Sequence, residues 1–316
     1  MRIACIGNAV YDYTVSSDKF LMEGVKTSFY NPVFSAGGPA STAASVIAKF
    51  GNEVDFYGKI GNDVQGKFVY SKMLSEGIDL RHLNVSNQAT TPFSFVMLNT
   101  SNSTRTIATV RDKDDFNNPT IGTDDFETDY DYILTDGKYI EDTIMLIKAN
   151  PQARTVIDAG RVNDGVLKLC SIVDYIICSQ DFAEEVTNMI ISDNYRDIVM
   201  VFNKMETIFP YAREITITIG SRGYICKEND EVVVKPAYQS GLPVVDTNCA
   251  GDIYHGAFTY AIANGYEYHD ALEFANTTAS LSTAKTGGRD SVPELVDVEN
   301  ALQRQQQVRL VKKLVK

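Results

Sequence analysis

The chain has 316 residues, 44% hydrophobic and 22% charged, which excludes a disordered polypeptide and predicts a large buried core, nearer two compact units than one. With 41 acidic against 29 basic residues the net charge is -12, so attraction to a nucleic-acid backbone or an anionic membrane is not its main business, and any anion must be held by local geometry. The five cysteines, at 5, 170, 178, 226 and 249, are odd in number and contain no C-x-x-C pair, so neither a disulfide framework nor a zinc cage is suggested. No signal-peptide pattern opens the chain and no run approaches the ~18 apolar residues of a membrane span, so a soluble protein of the reducing cytoplasm is expected.

In chain order, apolar runs bounded by turn residues predict strands at Ile3–Ile6, Val54–Ile60, Tyr132–Thr135, Thr155–Asp158, Tyr175–Cys178, Ile198–Phe202 and Glu214–Ile219. Helical patterns separate many of them, the signature of β-α units on a parallel sheet. Pro39 to Phe50 reads as a helix that starts on proline and stops at Gly51, and Asn62 to Glu76 repeats this logic with Gly77. Two regions break the rhythm. Tyr11 to Phe34 is rich in β-branched and aromatic residues without a helical period, and FSFVMLN followed by Ser101-Asn102-Ser103 and TRTIATV predicts a hairpin over Pro92 to Val110. Paired as a small sheet over the strand ends, these would form a lid. The division expected is a body of residues 1–10, 36–90 and 113–316 and a β lid of residues 11–35 and 91–112. The basic tail VRLVKKLVK reads as a solvated final helix.

The segment most informative about chemistry is VVDTNCAGDIYHGAFTYAIANG, Val244 to Gly265. A β-type run ends in Asp-Thr-Asn, passes through Ala250-Gly251 and enters a helix at Asp252. Small residues at a helix start let free N–H groups approach an anion, with the helix dipole adding to the attraction. Asp252 would then reach a hydroxyl nucleophile beside a phosphate, as a general base must. Spacing alone equally allows Asp252 to be a first-turn aspartate that stabilises its own helix.

Asp246-Thr247-Asn248-Cys249-Ala250-Gly251-Asp252 is similar to the D-T-x-G-A-G-D signature of the PfkB/ribokinase family of carbohydrate kinases. Gly37-Gly38-Pro39-Ala40, the helix after it, Gly51 and DFYGKIGNDVQG resemble that family's N-terminal signature. The resemblance runs from IACIGNAVYD to GGRDSVP. It implies an α/β fold with a doubly wound, mostly parallel central sheet, flanking helices and a small β-sheet lid. It also implies transfer of the γ-phosphate of ATP to a sugar hydroxyl, with Mg2+ and a monovalent cation such as K+, the latter near Thr286 to Ser291. By that resemblance Asp252 matches the base, and Ala250, Gly251 and Asp252 the anion hole. Asp12 matches the sugar-binding aspartate and Gly37-Gly38 the hinge. Thr218, Gly220 and Gly223 match the nucleotide stretch, and Asn276 a position near adenine.

Three departures are informative. Thr42 stands where the family's sugar-binding asparagine is usual. SQDFAEE replaces the expected N-x-x-E near Ser179 to Phe182, so the magnesium ligands are left unassigned. Cys249 replaces a glycine, tolerable where the backbone angle does not demand one. Lys26, Arg105 and Lys138, in the lid and after a strand, either reach an anionic end of a phosphorylated or sulfonated ketose or are scattered surface cations. The same residues are compatible with a nucleoside acceptor, or with a sugar-binding sensor without turnover, although retention of Asp252 argues against the sensor. A homodimer through the lid is expected from its strand edges.

Other patterns carry less. GNDVQGKF has the P-loop spacing but places Phe68 where a Ser or Thr hydroxyl is needed, so Lys67 reads as an exposed helical residue. RDKDDF and TDDFETDYD lack the order of a calcium loop. His82, His255 and His269 have no ligand spacing. His255 shares a helix face with Asp252 and is read as structural rather than as lining the site.

Overall fold

The computed structural model of the chain describes residues 1–19, 21–101, 104–110, 120–122 and 126–314. From the amino terminus run β1 (Arg2–Ile6), β2 (Val10–Ser17), β3 (Tyr30–Gly37), α1 (Pro39–Lys49), β4 (Glu53–Gly61), α2 (Val64–Ser75), β5 (Leu83–Ser86), β6 (Phe93–Asn99), β7 (Thr104–Val110) and β8 (Tyr132–Thr135). There follow α3 (Ile140–Ala149), β9 (Arg154–Ala159), α4 (Asp164–Cys170), β10 (Tyr175–Ser179), α5 (Gln180–Thr187) and α6 (Tyr195–Ile208). The last elements are β11 (Glu214–Thr218), β12 (Tyr224–Glu228), β13 (Glu231–Lys235), α7 (Ala250–Ala263), α8 (Tyr268–Ser282) and α9 (Leu295–Leu314).

Nine strands form the main sheet in the order β13-β12-β11-β10-β9-β8-β1-β4-β5. Pairings from β5 through to β11 are parallel, and β12 and β13 close one edge as an antiparallel meander. From β1 the chain winds outward to β4 and β5, then returns to lay β8 on the other side of β1 and continues to β11. The reversal between β1 and β8 opens a crevice at the carboxyl ends of those strands, where doubly wound folds hold their ligands.

Because side chains alternate along a strand, neighbours pack into opposite layers. Ile157 faces α3 to α6 with Ile176, Phe182, Val201, Phe202 and Met205, whereas Val156 faces α7 and α8 with Ile177, Phe258, Leu272 and Phe274. Both faces of the sheet are therefore dry, which fits strands that read as unbroken apolar runs.

The run IVMVF, predicted as a strand at Ile198–Phe202, lies instead inside α6. Asn194 caps that helix by accepting from the Arg196 N–H at 3.0 Å. Ile198, Val201, Phe202 and Met205 make its buried stripe at helical spacing. A five-residue apolar run is ambiguous by itself, and the cap with the fourth buried position at 205 decides for helix. β5, β12 and β13 were not anticipated.

The second sheet, β3-β2-β6-β7, is the lid. FSFVMLN and TRTIATV are β6 and β7, antiparallel from Phe93↔Val110 to Asn99↔Thr104. β2 runs antiparallel to β3 and parallel to β6, which places Asp12 between Ser35 and Ser94. Tyr11 stacks on Phe93 at 5.9 Å and meets Phe68 of α2 edge-on at 5.2 Å, so an aromatic cluster seats the lid on the body. Of the turn expected at 101–103 only Ser101 is described, and RDKDDF and residues 123–125 of the second acidic stretch lie outside the described residues. Among the described residues no helix is long and apolar enough to cross a membrane.

Candidate active site

α7 starts where the sequence predicts, on small residues. Gly251 is exposed, and a Cβ added there would meet nothing within 4 Å, so the turn opens onto free space. The first intrahelical bond runs from the Ile253 N–H to the Cys249 carbonyl at 2.8 Å. The Ala250 N–H turns back to the Thr247 carbonyl at 3.4 Å, and by helix geometry the N–H groups of Gly251 and Asp252 have no intrahelical acceptor. Cys249 sits at φ 60, ψ 5, the left-handed conformation that favours glycine. The condition set from the sequence is thus not met, and the side chain is retained at roughly 1–2 kcal/mol of local strain. Its thiol, pushed up by burial and by Asp252, donates to the Asp252 carboxylate.

Asp252 stands in a carboxylate cluster. Burial first, then Asp158, Asp12 and Asp136, push its pKa well above the ordinary carboxylate range, and the Cys249 thiol opposes them. Each partner comes from a strand near the crevice. Asp136 follows β8 and accepts from the Asn8 backbone N–H at 2.7 Å, the Asn8 amide at 3.0 Å and the Lys138 N–H at 3.1 Å. Burial raises Asp136, the bonds from Asn8 hold it down and Asp158 raises it further. Asp158, the penultimate residue of β9, is raised by burial and lies 3.4 Å from His255 Nδ1.

The lid supplies the opposite wall. Asp12 is buried, and burial pushes its pKa up to about 6 against a hydrogen bond from Ser94 and the charge of Arg289. The diglycine is explained by contact. A Cβ on Gly37 would stand 1.8 Å from the Asp12 carboxylate, and one on Gly38, at φ 97, 2.5 Å from the Asn8 carbonyl. Thr42 Oγ1 and Asn8 Oδ1 are buried without a hydrogen-bond partner, so polar capacity is left over around the hinge. The Arg289 guanidinium, fully buried, donates to the Ser41 carbonyl and to Glu76 while its Nε and Nη1 find no partner.

Of the three cations singled out, Arg105 reaches the anion turn: its Nη1 donates to Thr247 Oγ1 at 2.7 Å and bridges lid to body. Lys138 is half-buried beside Asp136, and Lys26 is exposed in the β2–β3 loop. Thr218 ends β11 with its hydroxyl donating to the Cys178 carbonyl at 3.2 Å. Gly220 (φ 60) and Gly223 (φ 104) shape the turn after it; a Cβ on Gly223 would lie 2.0 Å from the Lys235 carbonyl. Asn276 on α8 donates to the Pro236 carbonyl at 3.0 Å. Exposed Leu242, Val244 and Val245 precede the anion turn and offer an apolar platform.

Where the N-x-x-E motif was expected, Ser179 caps α5 through the Phe182 N–H at 3.2 Å, and Gln180 bridges Glu184 at 2.7 Å and Arg222 at 2.7 Å. These side chains are committed to protein contacts and do not fit a ring of magnesium ligands. The Gly287 N–H donates to Asp246 Oδ2 at 3.2 Å, which holds the 286–291 segment beside the anion turn. The P-loop lookalike is closed on itself: Asp63 caps α2 and a Cβ on Gly66 would stand 2.0 Å from the Gly61 carbonyl.

Asp136, Asp158 and Arg289 are the cluster members that sequence reasoning missed. An apolar run ending in Asp, as in YILTD and TVID, was the available signal for the first two.

The profile of the pfkB family carbohydrate kinases matches residues 1–295. A ribokinase from Bacillus subtilis is 26% identical over 319 residues, covering 96% of this chain and 100% of that protein. A ketohexokinase from Mus musculus is 23% identical over 301 residues, covering 90% and 97%. Among solved structures, an Arabidopsis thaliana ribokinase complexed with ribose and ATP superposes with a TM-score of 0.77 at 22% identity, covering 95% and 98%. A Giardia lamblia ribokinase does so at 0.81 and 19%, covering 96% and 98%.

Proposed function

Because the chain belongs to the pfkB family of carbohydrate kinases, phosphotransferases with an alcohol acceptor, we propose that it phosphorylates a sugar or sugar derivative from ATP with Asp252 as the general base. The single observation that carries this reading is the opening of α7. The Gly251 and Asp252 N–H groups lack an intrahelical acceptor, and Gly251 opens onto free space beside a carboxylate whose proton affinity burial has raised. A phosphoryl group in flight carries its charge on peripheral oxygens, which such a turn is built to hold.

In the reaction the acceptor hydroxyl lies between Asp252 and the γ-phosphorus. Its oxygen bonds to phosphorus as the bond to the β–γ bridging oxygen breaks, Asp252 takes the hydroxyl proton, and ADP and a phosphorylated sugar leave. Asp12, the diglycine backbone and Thr42 bind and orient the sugar. Gly220, Gly223 and Asn276 border the nucleotide, with Val244 and Val245 beneath its base. Closure of the lid excludes water as a competing acceptor. Magnesium would enter with the nucleotide, and no step is assigned to it, since the Ser179 and Gln180 side chains are engaged in protein contacts. Exposed Tyr30, Val33, Phe34, Ile107 and Val110 on the lid support pairing of two copies there.

The test is ATP consumption on a panel of pentoses, ketohexoses, acidic ketoses and nucleosides, for the native chain and Asp252→Asn. The native enzyme should turn over one class, and the variant should lose at least ~10²-fold in kcat with nucleotide affinity retained. Near-normal turnover by the variant would refute the role of Asp252.

A further inference from the structure

His255 lies on α7 one turn beyond Gly251 and is only 4% exposed. Its Nδ1 is 2.7 Å from the Gly251 carbonyl oxygen and 3.4 Å from Asp158 Oδ2, and its Nε2 is 3.2 Å from the Ile177 carbonyl oxygen of β10. The two carbonyl oxygens, one facing each ring nitrogen, can only accept, and Asp158 accepts when ionised. A neutral imidazole has one N–H, so one ring nitrogen would turn a bare lone pair onto an oxygen in a buried place, whereas an imidazolium donates from both. The titratable groups around the ring are Asp158 on β9, Cys178 on β10, whose thiol feels Asp158, and Asp252 and Tyr254 on its own helix. The His255 ring is also the side chain that faces Asp158 Oδ2 at 3.4 Å.

We infer that His255 is a positioning residue that holds protons on both ring nitrogens, pairs with Asp158, and pins the Gly251 carbonyl to β10, thereby fixing the N–H groups of residues 250–252. The inference rests on the kinase reading of that turn. Gly251 borders open space while its carbonyl faces His255, so the same residue that would meet phosphate is tied from behind. The cation also offsets one of the carboxylates crowding Asp252, which lets the cluster hold several acids in little water.

The test uses the full chain labelled with 15N-histidine at pH 7, His255 being assigned by the resonances lost in His255→Asn. Both ring nitrogens of His255 are expected in the protonated range, and one bare nitrogen would overturn the inference. Kinetically, His255→Asn should lower kcat about 10- to 100-fold while the KM for sugar moves less than about threefold, because the sugar is held by other elements. An unchanged kcat in a folded variant would also overturn it. Should His255→Asn not fold, Asp158→Asn, which keeps the shape and removes the charge, carries the kinetic arm with the same expectation. Lack of transfer by the native enzyme on every acceptor would contradict the kinase reading instead, and the spectrum would then decide the pairing alone.

Discussion

The main sheet and the lid sheet are built from similar β-branched and aromatic residues, yet they handle water in opposite ways. Helices cover the main sheet on both faces, and Ile157, Ile176, Val156 and Ile177 are 0–1% exposed. The lid leaves Val33, Phe34, Ile107 and Val110 between 39% and 60% exposed, and its inner face carries Asp12, while Arg105 reaches the body from β7. The difference separates two tasks. A dry body carries the Asp252 turn and its carboxylates, and a more exposed lid carries Asp12; on the proposed reading the first holds the phosphate and the second reads the sugar.

Substitutions on either side should therefore show in different measurements. The largest effect belongs to the body: Phe202→Ala, in the layer between α6 and the sheet, should cost about 3–5 kcal/mol of stability by chemical denaturation, with the KM for sugar unchanged in whatever stays folded. Equal loss of sugar affinity would erase the division.

Asp12→Asn sharpens it from the lid. The Asp12 carboxyl is raised to about 6, so its burial opposes folding at neutral pH and the cost disappears as pH falls through 6 toward the unfolded value near 4. The variant should be more stable than the native chain at pH 7, by up to ~2–3 kcal/mol, with the gain vanishing near pH 4, and should bind sugar more weakly. A variant less stable at pH 7 would contradict the assignment of burial as the cause. The smallest effect is Arg105→Ala, which removes one exposed hydrogen bond between lid and body, worth about 1 kcal/mol. It should raise the KM for sugar by up to about 5-fold and leave thermal stability nearly unchanged.

How far the sequence could be read follows the same division. Strand ends next to the site were legible because apolar runs stop on Gly, Asp or Asn, and Tyr132–Thr135 and the β6–β7 hairpin agree residue for residue with their expected bounds. The anion turn was legible because Ala250-Gly251 before an apolar helix is a local pattern. The carboxylate cluster was not. Asp136, Asp158 and Asp252 are far apart in sequence and meet only because the winding reverses between β1 and β8. The role of Arg289 depends on Ser41 and Glu76, 248 and 213 residues away. The left-handed angle of Cys249 is likewise a property of the closed loop, since nothing local to Asn-Cys-Ala demands it.

A crystal structure with the preferred sugar and a non-hydrolysable ATP analogue tests the central claim most directly. The account predicts one sugar hydroxyl within hydrogen-bond distance of the Asp252 carboxylate, the γ-phosphate against the N–H groups of residues 250–252, and Asp12 on other hydroxyls of the same sugar. A γ-phosphate held elsewhere, or a sugar with no hydroxyl near Asp252, would contradict it.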